Sequence, residues 1–287
     1  MDQPTKPVSD FLNASRNAQA LAHLDLGCGR STTIWQNRDD HVIYDAPQGH
    51  TFSFYLTGGE GTWRTDGTPI HGWPGAVCVM PQGHRSVWDI TKSMTFVHLY
   101  LPDPDLRRIY AELFDRDARL FDLADKTYVA AEQLAAPFTA LVRSLREGDP
   151  ARADEASMEL VGRVLTSGRF GLAQKRPLSG GLSQHQGRLL REFVEANLDR
   201  SLTLRDLAAV VERSEFHLQR SFRQAFGVSP QLWIAARRVE RAKTLMRQSE
   251  PLAQIASACG YSSQSHFSRA FKLGTGATPG AWRKAMI

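Results

Sequence analysis

At 287 residues, 42% of them hydrophobic, the chain is long enough to bury two cores, and two domains are expected. No run approaches the ~20 apolar residues of a membrane span, and the N-terminus lacks the basic, apolar and small-residue succession of a secretion signal, so the expectation is a cytoplasmic protein. Cys28, Cys78 and Cys259 are odd in number and far apart, which argues against a disulfide framework or a zinc motif and predicts that all three are reduced, buried thiols.

The net charge of +5 is unevenly spread. Residues 183–287 hold 16 Lys and Arg against 8 Asp and Glu, the remainder 19 against 22, and no acidic residue follows Glu250. Positive charge gathered on one segment is the footprint of a polyanionic partner, with counterion release driving much of the binding.

Residues 1–20 are polar with two early prolines and are expected to be only partly ordered. From Ser31 to Leu101, short aromatic and β-branched runs alternate with Gly58-Gly59, Asp66-Gly67 and Pro74-Gly75, which predicts antiparallel strands in a sandwich or small barrel over 21–102. Thr51–Leu56 alternates, with Phe52, Phe54 and Leu56 on one face, and Met94–Tyr100 alternates similarly. Gly75–Gly83, "GAVCVMPQG", resembles the second motif of the cupin barrels. In metal-binding cupins a His follows the last Gly with two residues between; here that place is Ser86, and His84 adjoins Gly83 instead. The histidines and glutamate of the first cupin motif are absent around Thr51–Arg64, so no metal and no cofactor are expected. A catalytic reading needs His71, His84 and His98 to converge inside the barrel, where three imidazoles suit zinc or iron. A small-molecule site would draw on Phe52, Phe54, Trp63, His84, Trp88 and His98, apolar walls with a few polar groups, although for any one of the aromatic residues core filling is the commoner role.

From Asp103 the periodicity turns helical. One stripe is Leu106, Ile109, Tyr110 and Leu113; others are Leu134, Phe138, Leu141, Val142 and Leu145, then Met158, Val161, Val164 and Leu165, with Gly148-Asp149-Pro150 between the last two helices. This helical region, 103–167, is either cover for the barrel or a dimer seam. Residues 168–184 have the Gly, Pro and Ser content of a linker.

Residues 185–287 organise the reading, because a helix-turn-helix pattern occurs twice. Arg220 recurs as Arg269, Phe222 as Phe271, Gly227 as Gly276, Pro230 as Pro279 and Trp233 as Trp282, an offset of 49. Ser214 suits the N-cap of a helix reaching about Phe226. On it Leu218, Phe222 and Ala225 share one face, with Phe216, Arg220 and Arg223 opposite; in the second copy Phe267 and Phe271 oppose Ser265, Arg269 and Lys272. An apolar stripe backed by a basic one suits a helix entering a major groove, where Arg pairs with guanine and Gln with adenine. Between the copies, about Gln231–Gln248 reads as one helix with Ala235, Val239, Ala242, Leu245 and Met246 as its apolar stripe.

The run "LTLRDLAAVVERSEFHLQRSFRQAFGVSPQLWIAARRVERAKTLM" followed by "IASACGYSSQSHFSRAFKLGTGATPGAWRK" resembles the AraC/XylS family of bacterial transcription regulators. The likeness includes Gly227–Pro230, Gly276–Pro279, Arg238, Ala242 and Gly260-Tyr261-Ser262-Ser263. The resemblance implies that Phe216, Gln219 and Arg220, then Ser265, His266 and Arg269, approach bases; on the same basic faces Arg223 and Lys272 are expected to contact phosphates. It also implies a cupin-like sensor, a small-molecule effector, a homodimer, and RNA polymerase as partner if the protein is an activator. Glu212 departs from the glycine usual in the first turn and would be strained there. The fold class expected is α+β in two domains, an N-terminal cupin-like β-barrel with flanking helices and a C-terminal all-α double helix-turn-helix. The function expected is sequence-specific transcription regulation without enzymatic activity. The alternatives are a cupin-type metalloenzyme fused to a DNA-binding domain and a nonspecific architectural DNA binder.

Overall fold

The computed structural model describes residues 6–173, 178, 180–248 and 250–286. The expected disorder at residues 1–5 and the expected linker at 174–177 and 179 lie outside the described residues. The chain forms two compact units, Met1–Asp103 with Leu123–Leu172, and Pro104–Asp122 with Ala173–Ile287.

The first unit begins with α1 (Val8–Ala14), inside the stretch expected to be only partly ordered; Val8 and Leu12 are buried. The strands follow: β1 (Ala18–Gly27), β2 (Arg30–Asn37), β3 (Asp40–Tyr44), β4 (His50–Thr57), β5 (Thr62–Arg64), β6 (Ala76–Met80), β7 (Ser86–Ile90) and β8 (Met94–Leu101). After α2 (Asp103–Phe114) and the short β9 (Phe121–Leu123) come β10 (Lys126–Ala130), α3 (Glu132–Glu147), α4 (Pro150–Thr166) and β11 (Gly171–Ala173). One sheet runs β1-β2-β8-β4-β6-β10, a second β3-β7-β5. No ladder among the described residues joins these two sheets, so the expected barrel is an open two-sheet sandwich.

Strand parity decides what fills it. Trp35, Tyr44, Tyr55, Cys78, Met80, Trp88, Phe96, Tyr100 and Tyr128 form one buried cluster. Phe52 and Phe54 have the opposite parity from Tyr55, and pair across strands with Leu99 and Val97. On that outer face Phe54 stacks on Phe138 of α3, ring centroids 4.9 Å apart. The apolar stripes of α3 and α4 are buried within their own unit, through Leu134, Phe138, Leu141, Leu160, Val161 and Val164. Gly148 ends α3 at φ 67, and the Asp149 side chain caps α4 by accepting from the amides of Ala151 and Arg152. A buried ion pair, Arg30 Nη1 to Asp154 Oδ1 at 2.9 Å, ties β2 to α4, and Arg30 also donates to the Leu26 carbonyl.

The second unit contains α5 (Gln184–Ala196), α6 (Leu204–Val210), α7 (Glu215–Phe226), α8 (Pro230–Met246), α9 (Leu252–Ala258), α10 (Gln264–Thr275) and α11 (Pro279–Met286). Its core includes Leu190, Val194, Leu207, Leu218, Phe222, Phe226 and Trp233. Ala111 and Ala118 belong to this core too, so residues 104–122 pack here rather than with the rest of the region 103–167. The approach is close: a Cβ on Gly227 would lie 2.5 Å from the Cβ of Arg107. Leu113, a member of the apolar stripe of α2, is half exposed.

Candidate nucleic-acid interface

The two halves of the second unit are built by the same local rules. Ser214 caps α7 by accepting from the His217 amide; Ser263 caps α10 by accepting from the His266 amide. Gly227 and Gly276 end the two helices at φ 77 and 75, each cap amide closing on the carbonyl four residues back. Ser229-Pro230 then starts α8, and Pro279 is the first residue of α11.

The turns differ by one residue. In the first, Glu212 takes φ 52 and the cap follows two residues later; in the second, Gly260 takes φ 71 and the cap follows three later. The inserted position explains why the 49-residue offset begins only after the turn. A Cβ on Gly260 would fall 2.4 Å from the Leu198 carbonyl oxygen, so glycine is required there; Glu212 bears the left-handed strain its identity predicts.

Helix α7 buries Leu218, Ser221, Phe222, Ala225 and Phe226, and α10 buries Phe267, Phe271 and Thr275. The opposite faces carry every residue assigned to DNA. Phe216 is 73% exposed, and Gln219, Arg220 and Arg223 are exposed beside it; on α10 Ser265, His266, Arg269 and Lys272 are exposed. The side chains of Arg220, Arg223, Arg269 and Lys272 have no hydrogen-bond or ion-pair partner among the described residues. Elsewhere in this unit Arg237 is paired with Glu195 and Lys243 with Glu240. Unpaired cations on one face keep their charge available to phosphate and guanine. His266 packs edge-on to Tyr261, centroids 5.3 Å apart, with Nδ1 3.4 Å from Ser262 Oγ, so its position is held before any partner arrives. His217, which sequence reasoning passed over, is also exposed, with its Nδ1 2.8 Å from Ser214 Oγ; its signal was its place one residue after Phe216.

Helix α8 carries both halves. Trp233 meets Phe222 and Phe226 of α7, while Val239 packs against Gly274 of α10 and Lys243 lies over the Trp282 ring. Arg238 donates to the Arg200 carbonyl at 2.7 Å and lies 5.6 Å from the Tyr261 ring. Of the apolar stripe assigned to this helix, Val239, Ala242 and Met246 are buried and Ala235 is exposed, because the buried stripe turns at Trp233 and Ile234. Seventeen residues at ~1.5 Å each give a rod of about 26 Å.

A family described as "Helix-turn-helix domain" matches residues 207–285. The chain is 30% identical over 92 residues to the probable transcriptional regulator LumQ of Photobacterium leiognathi, 32% of this chain and 37% of that protein. It is 34% identical over 94 residues to the right origin-binding protein of Escherichia coli, 32% of each chain. The C-terminal domain is an AraC-type helix-turn-helix domain. The chain thus spans about a third of the length of the curated relatives it matches. A solved AraC-type DNA-binding regulator from Chromobacterium violaceum shares 33% identity over 35% of this chain and 91% of that one, with a TM-score of 0.34. All of these likenesses concern the AraC-type domain and leave the first unit to its own geometry.

There the candidate effector residues divide. Trp88 and His98 line the sandwich interior, while Phe52 and Phe54 lie on the outer face. Trp63 packs on His71, centroids 5.2 Å apart, and His84 is exposed beside Asp125. The three histidines of the metal reading do not converge: His98 is buried inside, His71 sits against Trp63, and His84 faces out. Ser86 instead accepts from Trp88 Nε1 at 2.9 Å. Among the described residues no helix is long and apolar enough to cross a membrane.

Proposed function

We propose that the chain is a sequence-specific, cytoplasmic DNA-binding transcription regulator whose first unit binds a small-molecule effector. The observation that carries the DNA reading is the pair of equivalent helices, α7 and α10, each exposing unpaired cations and base-sized side chains on the face away from its core. Arg220 and Arg269 donate to bases, Gln219, Phe216 and His266 complete the readout, and Arg223 and Lys272 set register on phosphates. Ser265 and Ser268 stand where the first copy has Phe216 and Gln219, so α7 reads more stringently than α10. An effector acts by preferring one arrangement of the first unit over another and so changing operator affinity. Within this reading stand a homodimer and, for an activator, RNA polymerase as a further partner, both resting on the resemblance of the AraC-type domain. Selection of sites from random duplex by the full chain tests the reading. Recovery of a consensus that outcompetes random DNA is expected; enrichment of no sequence would leave only an architectural binder.

A further inference from the structure

The interior of the first unit mixes apolar walls with a few polar groups and carries no charge. Between its sheets is a void of about 20 Å³, room for about one water, lined by Tyr44, Ser53, Thr62, Cys78, Trp88 and His98 among others, none of the lining residues being charged. A relay sets the tautomer of His98. Trp35 Nε1 donates to the Tyr100 hydroxyl at 2.8 Å, and that hydroxyl lies 3.0 Å from His98 Nδ1. Tyr100 has one hydroxyl proton, and Nδ1 is the acceptor within its reach, so the imidazole carries its own proton on Nε2. The ring is neutral, because burial pushes it down to about 3. The Tyr44 and Ser53 hydroxyls and His98 Nε2 have no hydrogen-bond partner among the described residues, although all three side chains are more than nine-tenths buried. Buried polar groups of this kind call for a partner that can pair with them.

One side chain packs against two residues that line this space, Tyr55 and Trp88. Strand β10 loses register between Lys126 and Val129, and there Tyr128 takes φ 50, a left-handed conformation that disfavours any residue with a Cβ. The break turns the Tyr128 ring inward, with centroids 5.5 Å from Tyr55 and 5.8 Å from Trp88, and its hydroxyl 3.5 Å from that of Tyr55. Because β10 is an edge strand, swinging it outward breaks a ladder on one side only.

We propose that Tyr128 is a displaceable plug over an internal binding site, which takes an uncharged molecule about the size of a tyrosine side chain. The ligand presents an acceptor to His98 Nε2–H and a hydroxyl or carbonyl to Tyr44 and Ser53, and its apolar face lies against Trp88. An ion is refused, since nothing inside would compensate its lost hydration. The proposal rests on the sensor reading of this unit and adds its ligand class and its gate.

Cys78 reports the opening, since its thiol lines the void and is buried, and burial pushes it up to about 12. The full chain is treated with the neutral reagent methyl methanethiosulfonate or its anionic sulfonatoethyl analogue, and modification is followed site by site by mass spectrometry. Exposed Cys28 is the control for reagent and buried Cys259 for general unfolding. In the parent, the neutral reagent is expected to modify Cys78 faster than Cys259, and the anionic one to reach Cys28 alone. The neutral probe p-cresol slows Cys78, whereas 4-hydroxybenzoate does not. Tyr128→Ala speeds Cys78 about tenfold and leaves Cys259 unchanged; Tyr128→Phe, which keeps the ring, speeds it less. Cys78 as protected as Cys259 in the parent, equal reaction with both reagents, or no protection by p-cresol would each overturn the plug; the parent alone decides. An effector that shifts operator affinity while Cys78 stays fully protected would overturn the plug and leave the sensor reading in place.

Discussion

Phe222 packs edge-on against Trp233, ring centroids 5.8 Å apart; 49 residues later Phe271 meets Trp282 in the same way at 5.6 Å. Each pair joins a candidate recognition helix to the helix that follows it, and each is reached through a left-handed glycine and a proline-led start. Two helices thus expose equivalent faces because their apolar faces are fixed by the same ring contact, and the duplicated chemistry on those faces follows from duplicated packing.

The strain at Glu212 is separable from function. Its φ of 52 costs a residue with a Cβ about 1 kcal/mol, less the greater chain entropy glycine loses on folding. Glu212→Gly is expected to raise the unfolding free energy of the second unit by roughly 0.5 kcal/mol, read by denaturant titration. Lower stability would mean that the Glu212 side chain makes a contribution its exposed position does not suggest.

Lys272 is assigned to phosphate, so Lys272→Ala should weaken all duplexes alike and reduce the slope of log affinity against log salt by about one. Binding measured from low to moderate salt checks this. Parallel lines for parent and variant would remove Lys272 from the contact set.

His98 gives the first unit a pH dependence of known sign. Its folded value of about 3 lies below the ordinary 6.5 because burial disfavours the imidazolium. The unfolded chain therefore binds this proton first as pH falls, and the contribution to stability is complete above about pH 6.5 and declines towards pH 3. His98→Gln removes that titration. Between pH 7 and 4 the parent is expected to lose stability more steeply than the variant, and parallel curves would place His98 in a solvated setting.

Removing Asp154 takes away the carboxylate that lies 2.9 Å from the buried Arg30 guanidinium. Asp154→Ala is expected to cost roughly 3–5 kcal/mol, far more than Glu147→Ala at an exposed pair, by thermal or chemical unfolding. A loss below about 1 kcal/mol would show that water reaches Arg30 once its partner is gone.

The second unit was legible because its signals are local. A cap, a helical stripe, a left-handed glycine and a proline each occupy fixed positions, and their repetition at 49 residues exposes the pair without any knowledge of tertiary contacts. What sequence could not supply there was the contribution of Ala111 and Ala118, since two alanines carry no mark of the core they join. The sandwich was legible as strands but not as an interior. Phe52 and Phe54 attract attention by size, yet parity relative to Tyr55 turns them outward, and only pairing with Val97 and Leu99 reveals which parity faces the second sheet. Tyr128 was hidden for another reason: a five-residue strand lies between helical stripes, and its inward ring depends on a register break that no periodicity announces.

Methylation interference at guanine N7, with the full chain on a selected site, tests most directly the proposal that α7 and α10 each enter a major groove of the duplex. Two clusters of interference about 10 base pairs apart are expected, the first relieved by Arg220→Ala and the second by Arg269→Ala. A single cluster, or two substitutions that thin the same one, would contradict it.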